Sequence, residues 1–295
     1  MVMTRTGSFP ICFRRNRASW QADLDALIQF ACDHGFSGID LHQAEPDQIQ
    51  KVQHAGLQIG SVDLLRDLSD LASPDSGRRK AIADANAHYI STLAKHGIKT
   101  FFALMPLPEP ESSRSVYHQR AIQGWTALCD QVQSIDVHIV LEGYPGTPPY
   151  YPNLACTPES YRAVLKDLPH GVVGVNYDPS HLVRMGIDPI RFLNEFVDQV
   201  YHVHAKDTEI LHEALYEYGN TQDAVFAKAR TFGGYYWRYT IPGHGQVRWG
   251  KVFSILRDAN YEGLVSIELE DENFSKSAED EQRGLLAARD FLVNA

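Results

Sequence analysis

Residues 199–209 read QVYHVHAKDTE. An apolar, β-branched and aromatic background carries His202, His204, Lys206 and Asp207. In an extended strand alternate residues share a face, so His202, His204 and Lys206 line one side while Tyr201 and Val203 line the other. Three polar groups on one face of a buried strand cost free energy unless something pairs with them. The stretch reads as a strand that ends in a polar site.

Working outward, short apolar runs alternate with amphipathic segments along the whole chain. Strands are expected near 7–13 and at 38–43, 57–65, 98–106, 138–146, 172–178, 199–207 and 262–271, where β-branched and aromatic residues cluster. Helices are expected at 19–35, 47–56, 73–97, 113–136, 157–169, 188–198, 248–261 and 277–295. Their starts carry cap signals such as Thr157-Pro158-Glu159, with Ser160 in the third position of a capping box. Strands alternating with helices imply a parallel sheet, and eight such units imply a closed (β/α)8 TIM barrel. No linker or fixed repeat interrupts the chain, so residues 1–295 read as one domain. A doubly wound open sheet is the rival, but its usual GxGxxG turn is absent.

One connection is long. About forty residues, 208–247, follow the seventh strand and are rich in aromatics, among them Tyr216, Phe226, Phe232, Tyr236, Trp237 and Tyr239. This insertion reads either as an extra helix packed on the barrel or as a lid or subunit contact. Exposed aromatics there point to a homo-oligomer.

The net charge of −10 opposes phosphate binding, so nucleic acid is not the expected partner. No segment has the length of a membrane helix, and no membrane partner is expected. The stretch MVMTRTGSFPICFRRNR carries no apolar core followed by a small-residue cleavage site. Four cysteines without a CxxC pair read as reduced thiols, which fits a cytoplasmic protein.

Polar residues recur at the strand ends. HIVLEGYPG presents Glu142, VVGVNYDPSHL presents Asp178 with His181 three residues on, and LVSIELED presents Glu268 beside the His204 of the opening strand. Each is costly when buried alone, and a shared cation would resolve all four at once. Three carboxylates and one imidazole suit Mn²⁺, Mg²⁺ or Co²⁺, with Zn²⁺ also accommodated, and one divalent ion per chain is expected. Such an ion would act as Lewis acid and template, making the hydrogen beside a carbonyl more acidic.

LEGYP, NYDPSHL, HVHAKD, PGHGQ and SIELED, in that order, resemble the xylose isomerase-like TIM-barrel superfamily of sugar isomerases and epimerases, which also includes abasic-site endonucleases. The resemblance spans nearly the whole chain. It implies that Glu142, Asp178, His204 and Glu268 bind the metal and that Glu142 and Glu268 are the catalytic proton-transfer pair. It further implies that His181 contacts substrate, with Lys206 or Arg238 as the basic residue that does so too. His202 is expected to support the site by hydrogen bonding, and Asp207 either to orient His204 or to cap a helix. Arg248 stands where the family's PGxGxxDW turn has Asp. His244 of that turn reads as a plain turn residue, and Asp40 and His42 as facing or capping the site.

The resemblance implies a metal-dependent sugar isomerase or epimerase working through an enediolate; no conspicuous phosphate-binding glycine loop lies near the last strands, so a small non-phosphorylated carbohydrate is expected. The alternative is a lyase or dehydratase on a keto-sugar or 3-keto-glycoside, as in C-glycoside deglycosidases. The third and fourth strands, SVDLL and FFALMP, lack the extra histidines of the endonucleases, which argues against a nuclease. The intact ligand set argues against an inactive sugar-binding barrel.

Overall fold

The computed structural model describes residues 5–6, 9–108, 113–147 and 151–295. The strands are β1 (Arg5–Thr6), β2 (Phe9–Arg14), β3 (Gly38–Leu41), β4 (Gln58–Asp63), β5 (Thr100–Ala103), β6 (His138–Glu142), β7 (Val173–Tyr177) and β8 (Val200–Ala205). They are followed by β9 (Asp207–Ile210), β10 (Trp237–Thr240) and β11 (Val265–Ile267). The barrel order is β2-β3-β4-β5-β6-β7-β8-β11, and β11 pairs back onto β2. Closure of eight parallel strands makes this the expected (β/α)8 barrel. Residues 7 and 8 of the expected first strand lie outside the described residues.

Helices fall where the cap signals put them. Thr157 accepts from the Ser160 amide while the Ser160 hydroxyl accepts from the Thr157 amide, so serine closes the capping box that glutamate more often fills. The helix expected over 19–35 is instead two, Ser19–Ala22 and Leu24–Asp33. Asp23 breaks it: its side chain accepts from the Asp25 and Ala26 amides, offering the backbone a cap in place of a continuous turn. Unanticipated is a six-residue helix, Pro179–Arg184, directly after β7.

Contacts gather the chain into two compact units. One holds the N-terminal part to Asp40, Asp178–Val197 and Val203–Ala295; the other holds Leu41–Tyr177 and Asp198–His202. In the first, Phe9 meets Phe253 with ring centroids 5.6 Å apart and Phe13 meets Phe36 at 4.8 Å. The helix Trp249–Asp258 buries Trp249, Val252, Phe253 and Leu256. The insertion forms an antiparallel β9–β10 hairpin with a short helix, His212–Tyr218, none of whose residues is buried. Its tip exposes Tyr216 and Phe226, at 88% and 97%. The expected extra helix therefore exists, but it packs nothing away.

In the second unit the helices Ser76–Ala94 and Arg114–Val132 pack on each other and on the turn of 3₁₀ helix Leu68–Ala72. Trp125, Leu128, Leu71 and Ile90 are buried there. Gly124 is what lets the elements approach: a Cβ added to it would lie 2.1 Å from the Leu71 carbonyl oxygen. Tyr201, on the far face of β8 from its histidines, stacks on the His138 ring at 3.8 Å.

Among the described residues no helix is long and apolar enough to cross a membrane, and all four cysteines are free thiols. Because the obstruction at Gly124 is backbone, Gly124→Ala is expected to lower stability by about 2 kcal/mol, the scale of overpacking. A shifted urea midpoint at unchanged slope would report it.

Candidate metal centre and active site

Strand register sets the site. Ile267 of β11 is level with Ala205 of β8 on one side and with Phe13 of β2 on the other. One step further along, Glu268 therefore lies between Lys206 and Arg14. Lys206 Nζ is 2.5 Å from Glu268 Oε2, and Arg14 Nε is 3.3 Å from Glu268 Oε1. Arg14 is in turn level with Asp40 of β3. Consecutive strand ends thus carry Asp40, Arg14, Glu268 and Lys206, with charges alternating in sign.

Asp178 follows β7 and caps the helix Pro179–Arg184. Its Oδ1 accepts from the Ser180 amide at 2.9 Å and the Ser180 hydroxyl at 2.6 Å. Its Oδ2 is buried and accepts no hydrogen bond among the described residues. That oxygen faces Lys206 Nζ at 3.3 Å and His181 Nε2 at 3.4 Å. His204 is buried, with Nδ1 3.5 Å from Glu268 Oε2 and Nε2 3.6 Å from Asp40 Oδ2. Ligand atoms of Asp178, His204 and Glu268 all lie within 4.8 Å of one another.

These donors suit a divalent ion. Two carboxylates and one imidazole converge, and the cap consumes only one Asp178 oxygen. Burial raises the Glu268 carboxyl, but Lys206, His204 and Arg14 outweigh it and hold the group well below the usual carboxylate range. Glu268 is thus ionised and ready to ligate.

Glu142, at the end of β6, is buried and accepts from the Asn176 amide at 3.0 Å. It is level with Asn176, two residues before Asp178. His202 is buried in β8, two residues before His204. His42 engages Asp63 at 2.9 Å, and His244 lies exposed in its turn.

Two of the expected residues have their polar partners elsewhere. Asp207 neither orients His204 nor caps a helix: its carboxylate accepts from the amides of Thr208, Gly243 and Val247 and from Trp249 Nε1. Burial raises its pKa, and those same N–H groups oppose the rise. The carboxylates beside His204 are Glu268 and Asp40. Arg238 turns to Glu209, its partner across the hairpin at 2.7 Å, and to Asp271 and Glu272. One residue on, strand alternation sends Tyr239 the other way, into the site.

Tyr239 was not singled out by sequence, being one of many aromatics in the insertion. Its hydroxyl lies 2.7 Å from His181 Nδ1 and accepts from Arg184 Nη1 at 2.8 Å, while Lys206 Nζ sits 4.6 Å from its ring centre. Burial holds this hydroxyl well above the usual tyrosine range against the pull of Arg184 and Lys206, so it stays protonated. Arg14 and Glu270 were also missed. Their signals were present: Arg14 closes the apolar run FPICFR, and Glu270 sits two residues after Glu268, within 3.1 Å of Lys206 Nζ.

Residues 28–294 match the family model described as Xylose isomerase-like TIM barrel, and the chain belongs to that family. It is 33% identical over 163 residues to Uncharacterized protein YfiH of Bacillus subtilis, covering 54% of this chain and 48% of that protein. It is 35% identical over 94 residues to an inosose dehydratase of Clostridium tetani, covering 32% of this chain and 29% of that protein. The chain thus spans less than half the length of these curated relatives. A solved structure of IolI protein with a binding zinc atom has a TM-score of 0.70 at 18% identity, covering 96% of this chain and 98% of that one.

Among the described residues the Asp207 carboxylate is the sole side-chain acceptor for the Thr208 and Val247 amides and for Trp249 Nε1. Asp207→Ala is expected to cost about 3 kcal/mol, the price of orphaned buried N–H groups, and to expose the turn at 242–247. Thermal unfolding and proteolysis of that turn check both.

Proposed function

We propose that the protein is a divalent-metal-dependent enzyme that removes a proton from the carbon next to the carbonyl of a non-phosphorylated sugar or cyclic polyol ketone. The observation that carries this reading is the convergence of Asp178, His204 and Glu268 beside the buried Lys206. Glu142 is the fourth ligand, supported by its place at the end of β6 and by the strand order, in which β6 adjoins β7. A divalent ion held by these groups supplies a Lewis acid for the carbonyl. Mn²⁺ suits the oxygen-rich set best; the zinc in the IolI structure is reason to test Zn²⁺ beside it.

The residues divide the work. Glu142 takes the α-proton. Isomerisation or epimerisation needs a second base to return a proton, and Glu268 fills that role poorly, because two cations flank it and its pKa is depressed. Loss of a β-hydroxyl as water needs one base and one acid. Lys206 or His181 supplies that acid beside the ligands. Dehydration is therefore placed ahead of isomerisation, and the likeness to inosose dehydratase adds support for it.

Purified protein is expected to hold a stoichiometric divalent ion by mass spectrometry and His204→Ala to lose it; absence of metal in both, even after Mn²⁺ is added, would refute the reading. Incubation with inososes, ketoses and 3-keto-glycosides in deuterated water then separates the outcomes. An unsaturated product lighter by one water identifies the dehydratase. Deuterium at the α-carbon without loss of mass from elimination identifies the isomerase or epimerase. Glu142→Gln is expected to cut kcat by about a hundredfold or more with the circular dichroism spectrum unchanged.

A further inference from the structure

We infer that Tyr239, delivered by the returning strand of the insertion, is a positioning residue that fixes which nitrogen of His181 carries the proton. The inference rests on the proposed active site for its functional meaning, but its geometry is independent of the reaction.

The hydrogen bonds favour one arrangement for a neutral imidazole. Arg184 can only donate, so its Nη1 fills an acceptor position on the Tyr239 oxygen. We assign the hydroxyl proton to His181 Nδ1, the acceptor 2.7 Å away. The imidazole proton accordingly sits on Nε2, which lies 3.4 Å from Asp178 Oδ2 without a hydrogen bond between them. The other tautomer would turn a lone pair of Nε2 toward that carboxylate oxygen and make the tyrosine oxygen accept twice, turning its proton away from His181. The contact with Asp178 would become repulsive in a buried place where charge is poorly screened.

The insertion is built to hold this contact. Tyr236 donates from its hydroxyl to the Arg184 carbonyl at 3.1 Å, and the Arg184 guanidinium lies 4.6 Å from the Trp237 ring centre. Thr208, on the outgoing strand of the hairpin, donates to the Ser180 carbonyl at 2.9 Å. Four residues of the insertion thus grip the helix Pro179–Arg184, which carries His181 and is capped by Asp178. With its proton fixed on Nε2, His181 presents a donor on the side of the metal ligands, ready for a substrate oxygen or a departing hydroxyl.

The test is nitrogen NMR of the full chain with isotope-labelled histidine, with Mg²⁺ present and at about pH 8, above the ordinary imidazole range. His181→Gln assigns the signal. In the wild type the His181 signals are expected to be those of the Nε2–H tautomer. Tyr239→Phe keeps the ring over Lys206 and removes only the hydroxyl, and it is expected to shift His181 toward a mixture or the Nδ1–H form. Tyr236→Phe removes a neighbouring brace on the same helix and is expected to leave the tautomer as in the wild type. An Nδ1–H signal in the wild type, no change in Tyr239→Phe, or an equal change in Tyr236→Phe would each overturn the inference. Once a substrate is in hand, Tyr239→Phe should lower kcat about tenfold or more while KM changes little. The spectra decide the matter even if no carbohydrate turns over, so failure of the proposed reaction and failure of this inference remain separable.

Discussion

A lysine ammonium that water does not reach imposes the arrangement of everything around it. Lys206 is 1% exposed, and an unpaired charge so placed would cost several kcal/mol. Asp178, Glu268 and Glu270 meet it, and the electron-rich face of Tyr239 closes over it. Those partners come from the ends of different strands and from the insertion, so one charge organises segments far apart in sequence. The carboxylates in turn outnumber Lys206 and Arg14. That excess of negative charge is what a divalent ion would balance, and it explains how an ammonium and a ligand set can share one buried place.

The hairpin after β8 divides into a base and a tip with opposite character. The base is buried and hydrogen-bonded: Asp207 gathers the N–H groups of the turn beyond it, and Tyr239 reaches His181 and Arg184. The tip carries Tyr216 and Phe226 in the open. Successive residues explain the division. Lys206 ends in the ligand cluster, whereas Asp207 ends in the loop, because an extended chain sends neighbours to opposite sides. The same strand end therefore serves the chemistry and anchors the insertion.

The barrel was legible because its signal is local: alternating apolar runs, caps and prolines are properties of neighbouring residues. The candidate ligand residues stood out for a related reason, since a carboxylate or imidazole at the end of an apolar strand contradicts its surroundings. What sequence hid was parity and register. Arg238 and Tyr239 differ by one residue, and in a strand one residue reverses the face. Asp40 beside His204 was hidden because, level with Arg14 across β2 and β3, it is distant in the chain and its place depends on pairing. Glu268 between Lys206 and Arg14 became visible only once β11 was aligned with both of its neighbours. The break at Asp23 was readable in principle, as an aspartate preceding an acidic first turn, but the apolar periodicity on either side masked it.

A hairpin fastened at its root has a consequence for how this scaffold can diversify. Chain entropy penalises a longer loop only weakly, by about 0.6 kcal/mol per doubling. Residues between Tyr218 and Phe232 can therefore be added, removed or exchanged while the strands beneath keep their register. New surface chemistry can be sampled there by descent at little cost to folding, and the catalytic rim need not change with it. The molecule keeps its variable ground and its constrained ground on one short ribbon.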